Sequence, residues 1–208
     1  MAANNTTKPD LLRKRKLAGL AVFTMIIVVL QILCTFVRFS PFSITLALVP
    51  VIIGAAVYGS ASGAYLGFVM GLVVLFSGIF GWDGGTMKYL ISINSFAVVV
   101  ICLLKSTVAG WASGAVYKLL ARKSILLGVI AEGIVCPIVN TGLFILLMSF
   151  FFRSTLEVWA GGSTVMHYLV FSLTGVNFLI ELLVNLALAS FITRILKSGI
   201  KKLRVEKQ

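Results

Sequence analysis

Asn177, Glu181 and Asn185 recur at i, i+4 and i+8, so one helix carrying them presents an amide, a carboxyl and an amide in a single column. They lie in a run, about Val176 to Leu196, that is otherwise apolar. A second such run holds Cys136, Pro137, Ile138, Val139, Asn140 and Thr141, with Glu132 shortly before it. Polar side chains are costly to strand in hydrocarbon, so each set must either lock helices together or hold a small polar ligand. Lys105 places a cation in a third apolar run. An ammonium, a carboxyl and amides from three neighbouring helices can form a receptor for a small polar molecule. The alternative is an internal Lys105–Glu181 pair with interhelical amide hydrogen bonds, worth about 0.6–2 kcal/mol each.

Nothing in the chain is arranged for bond-making chemistry. The single histidine, His167, stands in a stretch without a nucleophile motif. There is no G-x-x-x-x-G-K-[ST] phosphate cradle, no H-E-x-x-H and no aspartate run suited to metal-dependent phosphotransfer. No catalytic residue, metal ligand set or cofactor is therefore expected, and the chain has no ATPase motif of its own. Cys34, Cys102 and Cys136 lie in or beside apolar runs at unrelated spacings, which makes them small buried hydrophobes rather than a disulfide or metal framework.

The elements that must position these residues are membrane spans. Of 208 residues, 60% are hydrophobic and 12% charged, against about 25% charged in soluble domains. The apolar residues fall into several runs of roughly 20, the length that crosses about 30 Å of hydrocarbon. The net charge of +12 is not a nucleic-acid signal, because it is distributed as a topology signal. Lys8 and Arg13 to Lys16 precede the first run, Lys118, Arg122 and Lys123 separate later ones, and Arg194, Lys197, Lys201, Lys202, Arg204 and Lys207 follow the last. Placing all of them on the cytoplasmic face satisfies the positive-inside bias and suits anionic headgroups.

The expected fold is an all-α membrane protein, a six-transmembrane-helix bundle with both termini cytoplasmic. Residues 1–16 form a basic cytoplasmic tail, 17–196 the membrane domain, and 197–208 a second basic tail. The first span, about Leu17 to Phe36, resembles a signal peptide but lacks a small-residue cleavage site and is read as uncleaved. The second, about Phe42 to Tyr58, contains Pro50, which should kink it or free a carbonyl. A turn at 59–63 leads into the third, about Ala64 to Phe80, whose Gly63, Gly67 and Gly71 make a doubled G-x-x-x-G. That motif serves close helix packing or the docking of a separate subunit. Leu90 to Leu120 is too long for one straight span and divides into an irregular stretch, about 90–100 with Asn94, and a helix to Leu120 containing Gly110 and Gly114. The fifth span, about Ile125 to Phe152, bends at Pro137. An outer loop, Arg153 to about Gly175, has an apolar part (Tyr168 to Leu173) able to lie against the bilayer or over a cavity. The sixth span carries the polar column. Loops opposite the basic rim bear Arg38, Trp82, Asp83, Lys88, Trp159 and His167, which suit either a lid over a pocket or an interfacial aromatic belt.

Four stretches carry a family resemblance: Leu48 to Gly59 leading into the glycine-rich third span, Ala109 to Lys118, Pro137 to Gly142, and Glu181-x-x-x-Asn185. From Leu17 to Leu196 the chain resembles the substrate-binding (S) component of energy-coupling factor (ECF) transporters. The resemblance implies a multi-pass subunit of a prokaryotic-type plasma membrane that captures a vitamin or similar micronutrient from outside. Its partners would be a transmembrane coupling subunit and two cytoplasmic ATPases, whose ATP hydrolysis tips the whole component to deliver the ligand inward. The family pocket draws on the last three helices and the outer loops, which nominates Lys105, Asn140, Asn177, Glu181, Asn94, Trp82 and Arg38 for substrate binding. Where the family docks through small residues at A-x-x-x-A spacing on the first helix, this chain offers Ala18, Gly19 and Ala21, with Gly63, Gly67 and Gly71 as further contributors. Pantothenate is the first ligand to consider, since Lys105 and Arg38 can pair its carboxylate. Two rival classes are a stand-alone proton-coupled secondary transporter using Glu181 or Glu132, for which no inverted repeat stands out, and a scaffold whose polar column only joins helices.

Overall fold

The computed structural model describes residues 8–36 and 46–205. Helix α1 runs Lys8–Thr35, α2 Leu48–Tyr58, α3 Ser60–Ile79, α4 Thr86–Leu120 and α5 Ile125–Phe151. Two short helices follow, α6 Arg153–Ala160 and α7 Val165–His167, then a π-helical segment Tyr168–Thr174 and finally α8 Gly175–Val205. Five stretches are long and apolar enough to cross a membrane: 10–35 in α1, all of α3, α4 and α5, and the run Val165–Arg194. The chain is thus an all-helical, multi-pass membrane protein.

Helix α1 begins inside the basic tail, so Arg13 to Lys16 extend the first membrane helix as exposed side chains rather than preceding it. The 11 residues of α2 span about 16 Å, roughly half the hydrocarbon thickness. The start expected for the second span at Phe42, along with Pro41, lies outside the described residues. Pro50 occupies the first turn of α2, where its missing N–H has no intrahelical partner to lose. It therefore opens this helix instead of kinking it.

The turn expected over 59–63 shrinks to one residue. Gly59, at φ 92, donates to the Ala55 carbonyl to close α2 while its own carbonyl accepts from Ser62 and Gly63 to start α3. A left-handed backbone at a joint this short is open to glycine at little cost. Ser60 to Gly63 are the first turn of α3, not loop.

Gly63, Gly67 and Gly71 lie on the buried face of α3, and α4 fills the space above them. A methyl group on these glycines would meet the carbonyls of Gly110, Ser106 and Cys102 respectively, so the two antiparallel backbones run in contact over two helical turns. Close approach of this kind replaces the hydrophobic drive that lipid does not supply between helices. This corrects the docking role expected for the three glycines. Their face is occupied by α4 of the same chain and is not open to another subunit.

Helix α4 bends at Asn94 (φ −152, ψ 90), inside the stretch expected to be irregular, which narrows to this one residue; Asn94 Oδ1 accepts from the Ala97 N–H at 3.0 Å. The side chain thus caps the helix that restarts after the bend. Helix α5 continues through Pro137. The outer loop expected over 153–175 is instead mostly helical. Leu156, Leu169 and Leu173 are fully buried in an apolar cluster with Leu90, Val98, Ile101, Phe144 and Met148.

Contacts fix which helix ends meet. Thr35 reaches Ser77, and Gly19 lies against Tyr58, so α1 and α3 run parallel. Gly128 packs on Tyr117 and Ala121, and Gly133 on Asn185, so α5 is antiparallel to both α4 and α8. The starts of α1 and α5 and the ends of α4 and α8 therefore share one end, here called the basic end. The ends of α1, α3 and α5 and the start of α8 share the far end.

Candidate functional site

A cavity opens among the helices in the half of the bundle toward the far end, with about 870 Å³ of empty space when the solvent at its open side is included. Its walls combine apolar side chains such as Leu90, Val98, Ile101 and Met148 with an unusual density of polar groups.

Each polar group reaches the cavity through its helix register. On α8, Asn177 and Glu181 are one turn apart and both line it. On α5, Asn140 stands one turn from Phe144, and on α4 Lys105 stands one turn from Ile101. The Lys105 ammonium lies 5.3 Å from the centre of the Phe144 ring, a cation–π distance that holds the charge over the cavity wall. Four of the seven residues expected to bind substrate, Lys105, Asn140, Asn177 and Glu181, are thus brought together here.

The other three lie elsewhere. Asn94 caps the second part of α4 and is not among the lining residues. Trp82 is exposed at the far end, stacked on Phe80 at 5.4 Å and Phe36 at 6.2 Å, next to the cavity-lining Asp83. Arg38 lies outside the described residues.

Sequence reasoning passed over several lining groups. Gln31 and Thr35 bring α1 into the site, joined by Ser77, Thr141 and Thr174. Gln31 carried a signal, as the one strongly polar side chain of its span, and it is 1% exposed. The hydroxyls carried none, because Ser and Thr commonly return their hydrogen bond to the helix backbone. Thr35 Oγ1 does so to the Gln31 carbonyl at 2.8 Å, and Thr174 Oγ1 to the Leu169 carbonyl at 2.8 Å. Asp83 lines the cavity but is engaged at the start of α4, accepting from the N–H groups of Gly85 and Met87 at 3.2 and 2.7 Å.

Two amide oxygens are left to the cavity. Gln31 Oε1 and Asn140 Oδ1 are buried and have no hydrogen-bond partner among the described residues. Buried polar atoms are nearly always satisfied by protein, water or ligand. Both oxygens therefore call for a donor inside the cavity.

The polar column on α8 divides below Glu181. Asn185 faces α5, where its Nδ2 donates to the Gly133 carbonyl at 3.4 Å. Gly133 is four residues before Pro137, which has no N–H to give it. One helix break thus supplies the acceptor that ties α5 to α8. Glu132 lies beside this lock and outside the cavity; it is 0% exposed, and neither carboxyl oxygen has a hydrogen-bond partner among the described residues.

The arrangement places one ammonium, carboxyls, amides and hydroxyls over apolar walls within the bundle, chemistry that suits a small polar molecule. No metal-binding group of three or more His, Cys, Asp or Glu occurs among the described residues. A family model described as "ECF transporter, substrate-specific component" matches residues 15–196. No curated protein and no solved structure matches the chain.

Proposed function

Because the chain belongs to the family of substrate-specific components of ECF transporters, we propose that the far-end cavity is its substrate site and that Lys105, Asn140, Asn177 and Glu181 hold the ligand there. The family makes the chain a membrane transport subunit that works with ECF module components on a small molecule. The observation that carries the site assignment is the pair of buried amide oxygens, Gln31 Oε1 and Asn140 Oδ1, that have no donor among the described residues at one cavity.

In this reading the bundle has six spans, with α2 as the second. The basic end faces the cytoplasm, and the cavity opens outward across a prokaryotic-type plasma membrane. Trp82 sits in a segment that closes over the ligand, Arg38 is a further ligand-binding candidate, and Asn94 sets the bend that shapes α4 around it. A transmembrane coupling subunit docks on α1 at Ala18 and Ala21, beside Gly19, whose own face packs on Tyr58, and two cytoplasmic ATPases supply the energy. The substrate is a vitamin or similar micronutrient. Pantothenate is the first candidate: its carboxylate suits Lys105, and its hydroxyl and amide donors suit the two orphan oxygens.

Native mass spectrometry of the chain purified from its own cells in mild detergent tests this. The expected result is a retained small molecule, lost in Lys105→Ala, together with co-purifying ATPase subunits. Transport by the chain alone in liposomes would favour a secondary transporter. Neither ligand nor partner, with a large loss of stability in Asn177→Ala or Glu181→Ala, would favour a scaffold.

A further inference from the structure

A second depression lies on the side of the bundle, between α5 and the junction of the π-helical segment with α8. It holds about 460 Å³ of empty space, its open side included, and its lining is almost wholly apolar: Ile138, Ile145, Val170 and Phe178, with Gly142 and Gly175. Two further residues, Thr141 and Thr174, line both this groove and the central cavity. Groove and cavity therefore meet at these two threonines, one from α5 and one from the end of the π-helical segment.

Three features bear on what this boundary can pass. Gly142 leaves its side of the groove empty, since a methyl group there would meet no atom within 4 Å. Thr174 returns its hydroxyl to the Leu169 carbonyl of the wide π turn, five residues back. Its donor is thus satisfied, and an apolar chain can lie against it without stranding a polar group. The groove also falls within two membrane-crossing helices, on a face where Ile138 is half exposed, so the bilayer is its solvent.

We propose that the substrate cavity has a second, lateral mouth between Thr141 and Thr174, and that a phospholipid acyl chain occupies the groove outside it. The lining contains no charged group and no hydroxyl beyond these two threonines, which excludes a polar headgroup and suits a hydrocarbon tail. Lipid composition then bears directly on the cavity. The proposal rests on the cavity being the substrate site, but its test does not depend on knowing the substrate.

The test uses the full chain in proteoliposomes, with Cys34, Cys102 and Cys136 replaced by alanine and Thr174→Cys introduced as reporter. Two probes compete for it: a long-chain N-alkyl maleimide dissolved in the bilayer, and a charged, membrane-impermeant maleimide added to the water. The bilayer probe is expected to modify Thr174→Cys, and Gly142→Phe, which fills the groove, is expected to abolish that reaction. Modification by the aqueous probe through the far-end mouth should survive Gly142→Phe. Thr141→Cys gives the same reading from the opposite wall if Thr174→Cys does not fold. The proposal is overturned if the bilayer probe modifies a Gly142→Cys control but neither threonine position, or if Gly142→Phe leaves its reaction unchanged. Protection of the groove-only Gly142→Cys control by a molecule that mass spectrometry finds retained would assign the groove to the substrate instead of lipid. A retained molecule with no lateral labelling keeps the substrate site and removes only the side mouth.

Discussion

At the scale of single residues, Pro137 and Asn185 act as one device. Proline removes the donor that would close on Gly133, and Asn185 from α8 supplies another. Asn185→Ala should lower stability by about 1 kcal/mol, the size of an interhelical hydrogen bond in a membrane. In Pro137→Ala/Asn185→Ala the new alanine N–H can close on Gly133, so the double variant should lose less than the two single losses added together. Unfolding in detergent reads this cycle, and strictly additive losses would mean that the two side chains do not share the carbonyl. The column at 177, 181 and 185 was legible from spacing alone, since four residues return to the same helix face. What each member does was not, because that depends on the neighbouring helix: the cavity for Asn177 and Glu181, a freed carbonyl for Asn185. Gln31 shows the same limit. Its polarity in an apolar run marked it, but only the packing of α1 on α3 turns it into the cavity.

At the scale of elements, two glycines one might treat alike should respond with opposite sign. Gly67→Ala drives a methyl into the Ser106 carbonyl, and a backbone atom cannot step aside, so a loss of about 1–3 kcal/mol is expected. Gly142→Ala meets no neighbour and should gain up to about 1 kcal/mol through helix propensity. Parallel melting curves decide it; equal losses would mean that α3 and α4 do not run in backbone contact. The G-x-x-x-G repeat announced a tight contact but not its partner, which explains why Gly63, Gly67 and Gly71 suited an external subunit equally well until α4 was seen against them. Runs of apolar residues located the long helices, while their ends were set by local chemistry. Gly59 joins α2 to α3 where several turn-forming residues suggested a longer connection. Asn94 confines the irregular stretch of α4 to a single residue because its side chain caps the restarting helix. Residues 153–167 read as loop because their apolar residues are few, yet Leu156 and Ala160, one turn apart, suffice to seat a short helix on the core.

At the scale of the whole molecule, sidedness was the most legible property. Fourteen of the 18 basic residues flank the spans in sequence, and the helix directions gather thirteen of them at one end, Lys207 lying outside the described residues. On the docking surface proposed for α1, Ala18 and Ala21 are exposed, and Ala21→Phe should leave the melting temperature within the range of ordinary surface changes, about 0.5 kcal/mol. The same variant should lose co-purifying ATPase subunits while keeping any retained ligand; retention of both would move the contact off α1. The far-end cavity draws on α1, α3, α4, α5 and α8, so no fragment of the chain contains it whole. Biosynthesis gives the lock between α5 and α8 another meaning. Helix α8 follows α5 out of the ribosome, and its two amides and carboxyl oppose entry into bare lipid. By then α5 has already emerged, bearing the Gly133 carbonyl that its own proline leaves open. The nascent chain thus lays down an acceptor before it presents the donor, and the least lipid-compatible helix enters beside a helix prepared to receive it.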